Sequence, residues 1–297
     1  MATPAESPSR PVPLTPTAEA WRAMTLEQRE RVLTEILDAL EDAQSAMSEG
    51  QRHKKAKGQA IDKLTLHFNA TGRVIYLAEE LAVLYPGERG FTPDILAVSD
   101  VPQPDDDPRM AWVVTDEGKG LDLVLEVLHH GNRKKDLVDN AERYARLGIP
   151  EYFIYDRARQ QVHGYRLPGL GATRYQRVIP QFGRHGSQVL GLDLAVEHGK
   201  LRFFYGMSEL FGSDELIGRL KSMVEDLENK AEDAETKVEL ALTEGLREAV
   251  LALLDARGLP CPDDARARVA SCFDAETLRR WIARAATAAS VDEVLAG

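Results

Sequence analysis

Two carboxylates stand where they could hold a metal ion: Asp94 in the apolar segment Phe91–Val98, and Glu126 in the apolar segment Leu121–Leu128. An ionised carboxylate within a covered strand is costly unless a cation balances it. If the two strands are neighbours, the acids converge at one end of the sheet. Such hard oxygen ligands suit Mg²⁺, which can lower the pKa of a bound water and support in-line attack at phosphorus. Alone, Asp94 would be better explained as a turn residue, so the pair is what favours a metal site.

Basic residues close to these segments are candidates for balancing negative charge. Lys134 and Lys135 follow the Glu126 strand and could steady charge that develops at phosphorus. A wider basic set could contact DNA phosphates, although a solvated helix face explains its first three members equally well. The set comprises Lys54, Lys55, Lys57, Arg133, Lys134 and Lys135. The adjacent His129 and His130 have no third ligand nearby, so we interpret them as loop histidines rather than a zinc site.

The elements that must position these groups lie in a strand–turn–helix–strand unit over residues 121–156. Leu121–Leu128 is almost wholly apolar, as expected of a strand covered on both faces. Lys135–Leu147 has helical spacing and ends at Gly148, and Glu151–Asp156 is a second strand. A unit of this size predicts a parallel strand pair crossed by the helix, with the Glu126 strand in the centre of an α/β sheet.

The remainder of the first 206 residues reads as helices followed by strands. We expect residues 1–20 to be disordered, because they are rich in Pro, Ser and Ala without periodicity. A capping box at Thr25–Gln28 predicts a helix over about Leu26–Ser48, and a second helical pattern follows the basic segment 52–57. A polar loop is expected over 99–119. The other predicted strands are Arg73–Leu77, Leu81–Leu84, Gln161–Arg166, Arg174–Val178, Leu194–Val196 and Leu201–Phe204. The last four are separated by glycine turns, which predicts an antiparallel extension of the sheet.

The last third of the chain changes in composition to an acidic helical stretch. Apolar residues recur there at alternating steps of four and three, which indicates a coiled-coil seam. A single helix packed back on the core explains the pattern nearly as well, because alanines weaken the seam. The seam residues are Leu220, Val224, Leu227, Ala231, Ala234, Val238 and Ala241. Asp263, Asp274 and Ser290 are the predicted N-caps of three short tail helices.

We therefore expect four regions. They are a disordered N-terminus at 1–20, an α/β domain at 21–206, a long acidic helix at 207–256 and a small helical tail at 257–297. The long helix would make the protein a homo-oligomer, such as a dimer.

The composition of the chain excludes some classes of protein and favours others. The chain has 297 residues, 43% of them hydrophobic, and no apolar run approaches the length of a membrane span. Two cysteines without a metal-ligand pattern, and no visible secretory signal, favour a cytoplasmic protein. The net charge of −11 argues against a general nucleic-acid coat protein, but not against an enzyme that grips DNA locally.

The motif order Pro93-Asp94, then an apolar strand ending in Glu126-Val127, then RKKD, then RYARLGIPEYFIYD, resembles the Uma-two family of restriction endonucleases, within the PD-(D/E)XK nuclease superfamily. The likeness runs from about Arg73 to Phe204. It implies an αβββαβ core and DNA cleavage that depends on Mg²⁺ or Mn²⁺. By position, Asp94 matches the PD aspartate, Glu126 the acid of (D/E)XK, and Glu80 an upstream acid, so the resemblance implies these three as metal ligands.

The sequence departs from the family pattern at its lysine. Leu128 stands at the usual position of the nuclease lysine, and Asn140 stands where many members carry a lysine on the following helix. Either Lys135 replaces the missing cation as a catalytic residue, or this subgroup works differently, or it does not cleave. The alternatives to an endonuclease are a degenerate nuclease scaffold that acts in binding or self-association, and a structural protein without a nucleic-acid role.

Overall fold

The computed structural model describes residues 11–45, 51–128 and 134–296, with the backbone alone for residues 51–53. Contacts divide the chain into two compact units, residues 1–216 and residues 217–297. In the described part of the chain, all the strands belong to the first unit and the second is helical.

Three helices precede the first strand: α1 (Ala18–Ala23), α2 (Leu26–Ser45) and α3 (Gln51–Thr71). The capping box before α2 is confirmed, since the Thr25 N–H donates to Gln28 Oε1 at 2.8 Å and the Gln28 N–H donates to Thr25 Oγ1 at 3.3 Å. The expected disorder over residues 1–20 is wrong for the part that is described. There, the Thr15 N–H donates to the Glu88 carbonyl at 2.8 Å and Trp21 is buried. Residues 46–48, the predicted end of α2, lie outside the described residues.

The described residues between 72 and 180 form eight strands: β1 (Ile75–Glu79), β2 (Ala82–Leu84), β3 (Ile95–Ser99), β4 (Ala111–Val113), β5 (Leu123–Leu128), β6 (Glu151–Asp156), β7 (Gln161–Arg166) and β8 (Gln176–Arg177). Six of them form a mixed sheet in the order β1–β3–β5–β6–β7–β8. β3 and β5 are antiparallel neighbours, and β5 and β6 are parallel. The α/β prediction with a central Glu126 strand is therefore confirmed.

The crossover between β5 and β6 is helical, as predicted. A π-helical turn (Lys135–Asp139) leads into α5 (Asn140–Arg146). Gly148 follows with a φ of 75°, a left-handed conformation that glycine adopts without strain and that ends the helix. Residues 129–133, which include His129, His130 and Arg133, lie outside the described residues.

Two predictions around β3 need correction. The strand begins at Ile95 rather than Phe91, so that Asp94 is the residue directly before it. The expected polar loop over 99–119 contains β4 and a short helix, α4 (Val114–Glu117), because its apolar segment is drawn into the core. Trp112 of β4 is fully buried and donates from Nε1 to the Lys119 carbonyl at 2.8 Å.

A second sheet of four strands lies within the same unit, in the order β12–β11–β10–β9. Its strands are β9 (His185–Ser187), β10 (Leu192–Glu197), β11 (Lys200–Tyr205) and β12 (Ser208–Glu209). They are antiparallel, as predicted, but β10 and β11 pair with each other instead of extending the first sheet.

The central sheet separates two apolar cores. Leu125 and Val127 of β5 belong to a core that includes Leu64 and Phe68 of α3. Val124 and Leu128 alternate with them and belong to the opposite core, which includes Tyr144 of α5. Glu126 shares the alternation of Val124 and Leu128, so it lies on the α5 face.

The second unit comprises most of α6 (Ser213–Ala256) with α7 (Asp263–Ala270), α8 (Ala275–Ala285) and α9 (Val291–Leu295). Asp274 and Ser290 are confirmed as N-caps, since their side chains accept from backbone N–H groups of α8 and α9. Asp263 is not an N-cap, because Pro262 occupies that position and Asp263 is the first helical residue. Both cysteines are free. Among the described helices, none has the length and apolarity needed to cross a bilayer.

Candidate active site

The structure brings Asp94 and Glu126 together across the β3–β5 pair. Ile95 and Leu125 are register partners, so the two acids occupy the adjacent position, just before β3 begins. The Asp94 N–H donates to Glu126 Oε2 at 3.2 Å, and the Val127 N–H donates to Asp94 Oδ2 at 2.6 Å. Each acid is thereby oriented by the backbone of the strand that carries the other.

The surroundings of Glu126 disfavour the ionised form of its carboxyl group. Burial raises the pKa of its carboxyl well above the usual value, and the charges of Asp94 and Asp136 raise it further. The Tyr144 hydroxyl donates to Glu126 Oε1 at 3.0 Å, which acts in the opposite direction. The cluster therefore favours an added positive charge.

Lys57 of α3 brings positive charge to this cluster. Its Nζ lies 3.3 Å from Asp94 Oδ1 and also pairs with Glu80 Oε1, and the lysine side chain is only 2% exposed. The interpretation of Lys57 as part of a solvated helix face is therefore wrong. The signal for its burial was its spacing, because Lys57 falls on the helical face of the buried Ala60 and Leu64.

Glu80 adopts an unusual backbone conformation beside the acid pair. It follows the last residue of β1 and has a φ of 53°, which costs free energy for a residue with a side chain. Its N–H donates to the Asp94 carbonyl at 3.2 Å, and its side chain is 48% exposed. Glu80 thus joins the Asp94–Glu126 pair through Lys57 and the Asp94 backbone.

The other predicted cation, Lys135, differs from Lys57 in its exposure to solvent. It opens the π-helical turn before α5, and its side chain is exposed, as is that of Lys134. Asn140, which stands where the family lysine was expected, donates from Nδ2 to Asp136 Oδ1 at 3.0 Å. Asn140 thus binds one of the acids whose charge raises the pKa of Glu126.

The geometry of the acid pair fits a hard divalent cation. Hydrogen bonds and an ion pair orient all four carboxylate oxygens, and the two oxygens of Glu126 accept one hydrogen bond each, although a carboxylate oxygen can accept two. Among the described residues, no group of three or more His, Cys, Asp or Glu side chains is arranged to hold a metal. Asp94 and Glu126 would therefore supply two ligands and leave the others to water and phosphate, which is the coordination that Mg²⁺ commonly takes.

Comparison with known proteins assigns the chain to a family. The model of the Uma2 family, described as "Putative restriction endonuclease", matches residues 37–197, more than half of the 297 residues. A solved structure titled as a putative nuclease belonging to DUF820, from Anabaena variabilis, is similar at 15% identity and a TM-score of 0.35, over 46% of this chain and 74% of that one. No curated protein matches the chain. Since the family model matches more than half of the chain, the chain belongs to the Uma2 family.

Proposed function

We propose that this protein is an endonuclease that hydrolyses phosphodiester bonds of DNA with Mg²⁺ or Mn²⁺. The observation that carries the proposal is the Asp94–Glu126 pair, held at one end of two central strands beside a buried lysine. An acid pair without functional use would raise the free energy of the folded state, because like charges repel in a poorly solvated place. Membership of a family described as restriction endonucleases supports the same reaction class.

Each residue has a distinct role in this proposal. Asp94 and Glu126 hold the metal ion, which when bound lowers the pKa of a water and polarises a phosphoryl oxygen. Lys57 supplies the positive charge that the expected sequence positions lack, and it stabilises charge that develops on the phosphate. Glu80 positions the Lys57 ammonium. Lys135, which is exposed at the start of the crossover helix, contacts DNA phosphates.

A plasmid-nicking assay tests the proposal. Purified protein should nick supercoiled DNA only when Mg²⁺ or Mn²⁺ is present, and Asp94→Asn should lower the rate by at least about 100-fold. Asp122→Asn is a matched control, because Asp122 lies on the same chain segment as Glu126 but binds Lys119 at 3.2 Å and the Ser99 N–H at 2.7 Å. Equal loss of activity in both variants would contradict the assigned site.

Lys57 can be separated from a purely structural lysine by measuring two quantities. Lys57→Met should lower the nicking rate by about 100-fold, because the cation next to the phosphate is lost. The same change should tighten Mn²⁺ binding in calorimetry, since the ammonium and the metal ion are both attracted to Asp94. Weaker Mn²⁺ binding together with lost activity would assign Lys57 to folding instead.

One observation favours a second candidate function. Asn140 replaces a lysine of the family pattern and is bound to Asp136, so the crossover helix supplies no cation at that position. A degenerate nuclease that binds DNA or assembles without cleaving would fit that loss. Mn²⁺ binding that depends on Asp94, combined with absence of nicking under all tested divalent ions, would support this second function over the first.

A further inference from the structure

The middle of α6 is exposed on every side. All residues from 216 to 242 are exposed, whereas the helix is anchored at both ends. At its beginning, the Ser213 N–H donates to Asp62 Oδ2 at 2.7 Å. Near its end, Val250 and Leu254 are fully buried against the tail helices. Apolar residues recur regularly in the exposed segment between these anchors. Such regularity is not expected of a helix that is surrounded by water alone.

The apolar residues of this segment form a heptad pattern. The a positions are Ile217, Val224, Ala231 and Val238, and the d positions are Leu220, Leu227, Ala234 and Ala241. The five largest of these side chains are between 50% and 67% exposed. The pattern spans about three and a half heptads, the length at which a heptad repeat specifies a coiled coil. Exposed apolar side chains in such a line indicate a surface that another helix covers.

The residue types at the a and d positions indicate how many helices associate in the coiled coil. Ile217, Val224 and Val238 are β-branched residues at a, and Leu220 and Leu227 are leucines at d. β-branched residues at a with leucine at d favour parallel dimers over trimers and tetramers. We therefore infer that residues 217–241 form a parallel, in-register coiled coil with a second copy of this chain.

The charged residues at the flanking e and g positions also favour a parallel arrangement of the two helices. In a parallel pair, a g residue faces the e residue of the next heptad on the partner, which places Lys230 opposite Glu235 of the other copy. In an antiparallel pair, g faces g and e faces e. Lys230 and Lys237 at g would then meet each other, and so would Glu228 and Glu235 at e, so like charges would oppose that arrangement.

Cysteine crosslinking of the full chain tests the direction and the register. In a background where Cys261 and Cys272 are changed to serine, Val224→Cys and Val238→Cys should each form a disulfide with a second copy of itself under mild oxidation. The matched controls Ser222→Cys and Asn229→Cys lie at f positions on the outer side and should remain monomeric on denaturing gels. In antiparallel helices a residues face d residues, so crosslinking of Val224→Cys with Ala234→Cys when the two proteins are mixed, without crosslinking of Val224→Cys to itself, would show antiparallel helices and overturn the inference.

A charge exchange provides a second test that does not depend on cysteine chemistry. Lys230→Glu should raise the dimer dissociation constant about tenfold in sedimentation equilibrium, because two attractive pairs become repulsive. Adding Glu235→Lys to the same chain should restore the original constant. A monomeric wild-type mass at tens of micromolar protein, or a trimeric mass, would overturn the inference, whatever the nuclease assay shows.

Discussion

Glu126 of β5 and Glu151 of β6 are both acids of the parallel strand pair, but the protein treats them differently. Glu151 is 1% exposed and accepts four hydrogen bonds, including one from the guanidinium of an arginine. The four donors are Arg166, Ser187, Gln188 and Val189. Glu126 accepts from one hydroxyl and one backbone N–H, and further acids lie close to it.

The difference in hydrogen bonding distinguishes an acid with a structural role, Glu151, from an acid that is a candidate for binding a metal ion, Glu126. A buried charge whose hydrogen-bonding capacity is filled by the fold has nothing further to bind, and its loss weakens the fold. A carboxylate left with spare acceptor capacity beside a second carboxylate can be stabilised by an added cation, as it is by a proton. The comparison therefore separates a fold-maintaining acid from a candidate metal ligand within one strand pair.

The largest effect should follow from Glu126→Gln. We expect the nicking rate to fall by at least about 100-fold, because the change removes one of the two proposed metal ligands. We also expect no loss of thermal stability, because the amide has no charge for Asp94 and Asp136 to repel. Nicking assays and thermal melting measure the two quantities. A clear drop in the melting temperature would place Glu126 with Glu151 as a structural acid.

The opposite result is expected of Glu151→Gln. Removing the charge leaves Arg166 without its carboxylate partner, which lies 2.6 Å from its Nε, and should lower the free energy of unfolding by about 3 kcal/mol. Chemical denaturation measures this loss. The nicking rate per folded molecule should not change, and adding Arg166→Met should recover part of the stability. A fall in the specific rate would break the distinction between the two acids.

Glu215 extends the comparison to an acid at the start of α6. Arg202, Lys63 and the Gly212 N–H bind it and lower the pKa of its carboxyl from 4.5 to about 2. An acid with a lowered pKa stabilises the folded state above its unfolded value, so this contribution is present above about pH 4.5 and is lost as the pH falls toward 2. The loss should be about 1 kcal/mol, because the side chain is 32% exposed and water screens the ion pairs.

Denaturation measured across that pH range tests the assignment. Glu215→Gln should be less stable than the wild type at neutral pH and should lose less stability than the wild type between pH 4.5 and 2. A wild type and a variant with parallel pH profiles would contradict the role of Glu215.

The smallest effect is expected of Glu80→Gly. Glycine adopts the φ of 53° without strain, so we expect a gain in stability of less than about 1 kcal/mol relative to Glu80→Ala. Both variants lose the carboxylate that holds Lys57, so both should lower the nicking rate, by about 10-fold. Thermal melting compares the two. Equal melting temperatures would show that the backbone at residue 80 is not strained.

The fold was largely predictable because the residue pattern of the chain identifies β5, β6 and the helix between them. The apolar run of β5, the crossover helix ending at Gly148, and the EYFIYD strand all follow local rules, and the alternation of Leu125, Glu126 and Val127 determines which face the acid occupies. The second sheet was not separable from the first, since pairing between short strands depends on register and contacts that composition does not reveal.

The site was only partly predictable. Asp94 and Glu126 could be paired because each lies at a strand that the pattern identifies. Lys57 was missed because a lysine in a basic helix start resembles a solvated residue. Its spacing from Ala60 and Leu64 was the only sequence signal of its burial, and its partner Asp94 is not identified by that spacing. The role of Glu151 was also hidden, because its donors are 15 to 38 residues away along the chain.

The position of Lys57 on α3, before the first strand, has a practical consequence for experiments with fragments of the protein. A fragment that starts at β1 would keep the entire central sheet and all three acids, but it would leave them without the ammonium group. Inactivity of such a fragment would therefore say nothing about the sheet's chemistry. Under the proposed function, a minimal catalytic fragment has to begin upstream of residue 57 and retain α3, which carries Lys57.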